Sequence, residues 1–364
     1  DFCLSRGLGD VYKRQIPNMA RMAARTTATI ASTFQGLCLR FPMSIHCSLL
    51  KLKLNAACGR VGTAVALALT LSLPALASTE LVLGQSAALS GPSGMLGSEY
   101  RQGALAYFSE VNRQGGVHGK RLKLLSLDDR YEPPLTLRNT KQLVERDKVF
   151  ALFGYVGTPT VKAVLPLVEK QKIPLIAPLT GAQLLRQPHR PMVFNLRTSY
   201  HMEIDRMVDY LVRSGRHRVA VVYQNDAFGQ DGLKGSLKAL GRHGLKPVAT
   251  ASVERNSNQT GGAAGLVQNA NANAILVVAA YPSSASLSRE MRRRGSTAQL
   301  MNVSFVGTSA LRASLQSHEA SGIGVAQVVP FPWNERVPVV KEYQALMRRQ
   351  QAKPHFGFIS LEGF

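Results

Sequence analysis

The residue types that most often carry chemistry are sparse in this chain, and their spacing suits no reaction. The four cysteines, Cys3, Cys38, Cys47 and Cys58, all precede residue 60. Everything downstream is cysteine-free, which excludes a cysteine nucleophile, a zinc ribbon and a disulfide framework from the main body. The eight histidines are scattered. His201 has a carboxylate close in sequence, Glu203, and a solvated helix face accounts for that pair. There is no His-Glu-x-x-His zinc motif, no Gly-x-Ser-x-Gly elbow and no phosphate loop ending in Gly-Lys-Ser/Thr. The stretch from Gly84 to Gly91 lacks the dinucleotide-binding spacing. These absences point away from an enzyme, and no cofactor and no metal site is expected.

The chain has 364 residues, 45% of them hydrophobic and 18% charged, which is a globular composition. No apolar run reaches the ~18 to 20 residues that span a bilayer. The net charge is +22, and no acidic residue occurs between Asp10 and Glu80. In that window Lys51, Lys53 and Arg60 precede an apolar run, Val61 to Leu73, and Ala75-Leu-Ala77 follows. A basic flank, a short apolar core and an Ala-x-Ala site form a secretory signal pattern, with cleavage expected after Ala77. Residues 43–77 are read as that signal peptide, starting at Met43. Cys58 precedes the apolar run, where a lipid-anchoring cysteine would follow it. Residues 1–42 are read as a non-native or upstream segment, since the first fifteen resemble translated adapter. The first 77 residues hold nine basic and two acidic side chains, so the remaining 287 carry a net +15. Such a surplus suits an anionic partner. In an exported chain it also suits a basic background, and that reading leaves nucleic acid out. The densest cluster, Arg292-Arg293-Arg294, stands before Gly295, where cations favour the last turn of a glycine-capped helix.

Beyond residue 80, apolar segments of strand length alternate with amphipathic ones of helix length. Strands are expected at Leu81–Ala87, Lys120–Leu127, Val149–Phe153, Ile173–Ile176 and Val193–Leu196. Helices are expected between them at Ser98–Asn112, Leu135–Asp147 and Thr160–Gln171, with Pro166 kinking or splitting the last. The rhythm then repeats. Helices at Tyr200–Ser214, Asp231–His243, Gly262–Ala272 and Ser284–Arg294 alternate with strands at Val219–Tyr223, Pro247–Val253, Ala274–Ala279 and Val303–Val306. Two runs of β-α units with buried strands imply an α/β protein of two doubly wound parallel-sheet lobes joined by a hinge. The first lobe is placed at 78–197 plus 333–364, and the second at 198–332.

Specific residues carry a resemblance. Leu89-Ser-Gly-Pro92, Gly103, Asn112, Gly115-Gly116, Gly119 and Leu127-Asp-Asp129 stand in the first half. Gly154 with Thr158, Ile173-Pro174 with Pro178, and Asp226 with Phe228-Gly229 follow. In this pattern the chain is similar to substrate-binding proteins of branched-chain amino acid ABC transporters, the type I periplasmic binding fold. The resemblance implies a small ligand (an amino acid, an amide or a small carboxylate) held between two closing lobes, and ABC permease subunits as partners. It implies a periplasmic location. It places a ligand-binding hydroxyl at Thr158, backbone donors at Leu179 and Gly181, and a side-chain pocket at Leu96. Relatives commonly carry Ser or Thr where Gly181 stands, and Thr180 is the candidate to replace that hydroxyl. Aromatics from the second lobe fall at Phe228 and Tyr281.

Two departures follow. Amino-acid-binding members place a glutamate two residues after the glycine that here is Gly307, and Ser309 occupies that place. A buried ammonium without its partner costs ~3 to 5 kcal/mol. Either the ligand has no α-ammonium, with poor binding of leucine, isoleucine and valine, or another acid substitutes. The chain also stops within what relatives treat as a first-lobe helix, so C-terminal truncation is expected. A ligand-binding domain of a membrane sensor with the same fold is the alternative reading.

Overall fold

The computed structural model describes residues 80–364, which lie in one compact unit. The leader and its cleavage site fall outside the described residues. Strands β1 (Glu80–Ala87), β2 (Arg121–Asp128), β3 (Ala151–Phe153), β4 (Leu175–Ile176) and β5 (Val193–Phe194) form one sheet in the order β2-β1-β3-β4-β5. Strands β6 (Val219–Gln224), β7 (Ala249–Val253), β8 (Ala274–Val278), β9 (Gln299–Asn302) and β10 (Ile323–Val325) form a second, ordered β10-β9-β8-β6-β7. Every pairing in both is parallel. Strand β8, Ala-Ile-Leu-Val-Val, is buried at all five positions because helices cover both faces of its sheet.

The crossover helices of the first sheet are α1 (Gly94–Arg113), α2 (Pro133–Lys141, continued by a π-helical turn to Arg146) and α3 (Thr158–Gln171). The second sheet has α4 (Tyr200–Arg213), α5 (Ala227–Arg242), α6 (Gly261–Asn269), α7 (Tyr281–Arg293), α8 (Thr308–Ala313) and α9 (Ser317–Ala320). The chain then runs irregularly to α10 (Pro338–Gln350) and α11 (Phe358–Gly363). These last two helices pack on α1 through a cluster of Ala106, Val340, Tyr343, Met347 and Leu361. The approach of α1 to α11 is backbone to backbone: a Cβ on Gly103 would lie 1.8 Å from the Ser360 carbonyl oxygen.

Of the two effects expected of Pro166, a kink or a split, the helix is not split. Pro166 and Lys162 are both exposed, so the carbonyl that loses its partner faces water. The strand expected at Val303–Val306 is instead Gln299–Asn302, followed by a 3-10 turn at Ser304–Val306. Val303, Phe305 and Val306 are apolar because the turn is buried, not because it pairs. Strand β10, partly buried at the edge, carries too weak an apolar signal to stand out in the sequence. Arg292 and Arg293 do close α7, with Gly295 at φ +72° beyond its cap.

Candidate ligand-binding cleft

Contacts between the lobes come largely from loops that follow the carboxyl ends of the strands, where doubly wound sheets bind ligands. Tyr131, just after β2, is fully buried and its hydroxyl accepts a hydrogen bond from Gln224 Nε2 at the end of β6, 3.3 Å away. Its ring lies 5.9 Å from that of Phe305. Phe305 stacks edge-on to Phe228 at 4.9 Å, and Phe228 meets Tyr200 at 5.0 Å. An aromatic seam therefore joins the lobes. At its edge Glu132 accepts from Asn256 Nδ2 at 2.9 Å and pairs with Arg255 at 2.7 Å.

Thr158 is the first residue of α3, and its hydroxyl shares a 2.7 Å hydrogen bond with that of Thr180. Both residues are buried. Gly157, not Thr158, stands at the cap position, and no side chain caps this helix. Thr158 therefore does not cap α3. Gly157, at φ +93°, lets the Tyr131 ring approach to where a Cβ would stand, 2.1 Å from Cε2.

Of the two expected backbone donors, that of Leu179 is engaged inside the protein. The Leu179 amide donates to the Tyr155 carbonyl at 2.8 Å, because Val156 and Leu179 form a bridge that prolongs the first sheet. The Gly181 amide faces the Tyr200 hydroxyl. Burial pushes that hydroxyl up to about 12, opposed first by the charge of Arg197 and then by the Thr180 hydroxyl and the Gly181 amide. Glycine at 181 has a steric cause: a Cβ there would lie 2.7 Å from the Tyr200 nitrogen and 3.0 Å from the Thr198 carbonyl oxygen. Thr180 keeps a hydroxyl beside Thr158 where 181 has no room for one.

Phe228 is fully buried in the aromatic seam, so its packing role is plain. Tyr281 opens α7, and its hydroxyl lies near the Met95 amide, bringing the second lobe against the first. Leu96, in the first turn of α1, is buried against Gly307. Ser309 sits in α8 beside Glu99 of α1.

Glu99 did not stand out in the sequence. It is 7% exposed, and neither of its carboxylate oxygens has a hydrogen-bond partner among the described residues. Burial pushes its carboxyl up to about 7, with the Ser309 hydroxyl pulling the other way. A Cβ on Gly357 would lie 2.8 Å from Ser309 Oγ and 3.2 Å from Glu99 Oε2, so glycine leaves that space open. The available signal was an acid three residues after Leu96, on the same face of an amphipathic helix.

Below the seam lies a buried charge cluster. Arg197 Nε is 3.3 Å from Glu362 Oε1, and Arg197 Nη2 is 3.9 Å from Glu203 Oε1. Glu203 accepts the Ser304 amide at 2.7 Å, and Arg197 also reaches the Ser304 hydroxyl. Glu203 is thus buried, not on the solvated face expected for it; the partner of His201 is Asp231. Burial raises both glutamates, and Arg197 opposes it.

Among the described residues no group of three or more His, Cys, Asp or Glu could hold a metal ion. An open depression of about 440 Å³ lined by Arg216, Asn271, Asn273 and Arg294 lies at the amino ends of β6 and β8, opposite the cleft.

Two parallel-sheet lobes meeting at their strand carboxyl ends define the type I periplasmic binding fold. The family profile described as "Periplasmic binding protein" matches residues 80–363, and the chain belongs to that family. It is 36% identical to a possible leucine/isoleucine/valine-binding protein from Rhodopirellula baltica, whose crystal structure superposes with a TM-score of 0.73 over 78% of each chain. A substrate-binding periplasmic protein from Ralstonia solanacearum is 32% identical, with a TM-score of 0.74 over 78% of this chain and 81% of that one. The "Amino acid binding protein" of Pseudomonas aeruginosa is 26% identical over 70% of this chain and 67% of its own length.

Proposed function

We propose that the chain is the extracytoplasmic solute-binding component of an ABC importer, capturing a small polar or amino-acid-like ligand as its lobes close. The observation that carries this reading is the pair of buried hydroxyls, Thr158 and Thr180, at the mouth of α3, facing a second lobe that reaches across through Tyr281 and Phe305. A buried hydroxyl pair can turn one donor outward to an anionic or carbonyl group. Leu96, Leu179 and Phe228 supply apolar walls, and Ser309 faces the cleft from α8. Closure needs contacts from both lobes, so the ligand shifts the population toward the closed state. Export, with removal of residues up to Ala77, and delivery to membrane permease subunits complete the role.

Calorimetry with a panel of amino acids, amides and small carboxylates tests it. Charge-assisted hydrogen bonds are worth ~1.5 to 3 kcal/mol, so Thr158→Val is expected to weaken the bound solute roughly ten- to a hundredfold. Equal affinity in parent and variant would remove Thr158 from the site.

A further inference from the structure

Glu99 is a buried acid without an explanation in the fold. It lies between the lobes, on α1 of the first and against Ser309 of the second. Among the described residues it makes no ion pair and neither oxygen is hydrogen-bonded. Structural carboxylates of this protein look different. Asp129, as buried, accepts from the Ser86 and Thr136 hydroxyls and the Tyr131 amide. Glu203 and Glu362 share Arg197. An acid buried with no partner is costly, and such groups are compensated by a proton or by a cation.

The surroundings favour a visiting cation. The groups about Glu99 are the Ser309 hydroxyl from α8 and Gly357 at the start of α11, with Tyr281 of α7 and Tyr343 of α10 near enough to feel its charge. No lysine, arginine or histidine is among them. The hydroxyls of Tyr343 and Ser360 hydrogen-bond each other at 2.6 Å, and that of Tyr281 lies near the Met95 amide. Ser309 is the remaining hydroxyl at the carboxylate, and the missing Cβ of Gly357 leaves room beside both.

We propose that Glu99, with Ser309 beside it, receives a primary ammonium group of the ligand, so that the cleft takes small amines and amino acids in preference to their des-amino counterparts. This rests on the solute-binding reading above. The carboxylate absent at position 309 is then supplied from the opposite lobe, and ammonium binding itself draws the lobes together. With its proton held to about pH 7 by burial, Glu99 must lose that proton when the ammonium enters.

The test uses matched pairs: leucine with 4-methylpentanoate, and phenylalanine with 3-phenylpropanoate. In the parent the ammonium-bearing member of a binding pair is expected to bind at least about tenfold tighter at pH 8, and the preference shrinks at pH 6. Glu99→Gln is expected to abolish the preference while Thr158→Val weakens both members alike. In the parent at pH 7, amine binding also releases protons, read as a heat that changes with the ionisation enthalpy of the buffer. Equal binding of the pair members by the parent overturns the role of Glu99, as does a preference that survives Glu99→Gln. In either case solute binding itself stands. If no amino acid, amide or carboxylate binds, the solute-binding reading falls and this inference with it.

Discussion

Leu96 stands where a side chain on Gly307 would have to go: a Cβ there would lie 2.5 Å from Leu96 Cδ2, although the two residues belong to opposite lobes. Gly307 is at φ +75°, where an L side chain is strained by roughly 1 to 2 kcal/mol. Gly307→Ala therefore meets two penalties, one in its own backbone and one across the cleft. Leu96→Ala relieves only the second. Urea unfolding of both single variants and the double is expected to give a coupling energy of at least ~0.5 kcal/mol. Strict additivity would mean that the lobes do not pack at this point.

Arg197 is the cation between two buried carboxylates, Glu203 and Glu362, from α4 and α11. Removing one partner of a buried ion pair leaves an uncompensated charge and costs ~3 to 5 kcal/mol. Arg197→Met is expected to lose that much at pH 8. Both carboxyls already lie above their ordinary range because of burial. Without the guanidinium they rise further and neutralise more readily. The loss is therefore expected to shrink toward pH 5, read from denaturant midpoints at the two values. A loss independent of pH would assign the effect to packing alone.

Much of the fold was legible because its signals are local. Alternating apolar strands and amphipathic helices are written every 10 to 20 residues, and glycines such as Gly295 mark helix ends through backbone geometry. The failures share a cause, which is burial imposed by residues distant in sequence. Val303, Phe305 and Val306 carry a strand's composition but pack in a turn under the cleft. Glu203 reads as a surface acid until Arg197 and Ser304 close over it. Between the lobes, Leu96 meets Gly307, Thr158 meets Thr180, and Ser309 lies beside Glu99. Two things were out of reach of sequence: that the Leu179 amide is spent on Tyr155, and that Tyr200 forbids a side chain at 181. Glu99 was missed because a lone acid in an amphipathic helix is ordinarily solvated, and only α8 of the other lobe and the distant start of α11 bury it.

The burial of Glu99 has a stability consequence that needs no ligand. Its carboxyl titrates near 7 in the folded chain against an ordinary 4.5. A group that holds its proton more tightly when folded favours folding while protonated in both states, below about pH 4.5. That contribution is lost as pH rises through 7, because the unfolded chain has released its proton earlier and more easily. One pKa unit is about 1.4 kcal/mol, so the full loss for Glu99 is at most about 3 kcal/mol between pH 4.5 and 8. Asp129, raised to about 6 chiefly by burial, adds a loss of the same sign that is complete nearer pH 6. Glu99→Gln keeps the shape and removes the titration. The variant is expected to gain on the parent as pH rises, by up to about 3 kcal/mol at pH 8 relative to pH 4.5, with most of the gain complete by pH 7. Urea unfolding across that range measures it, and Asp129 cancels because both proteins carry it. Parallel curves for parent and variant would mean that Glu99 is solvated, and would take away the reason for a cation at this site.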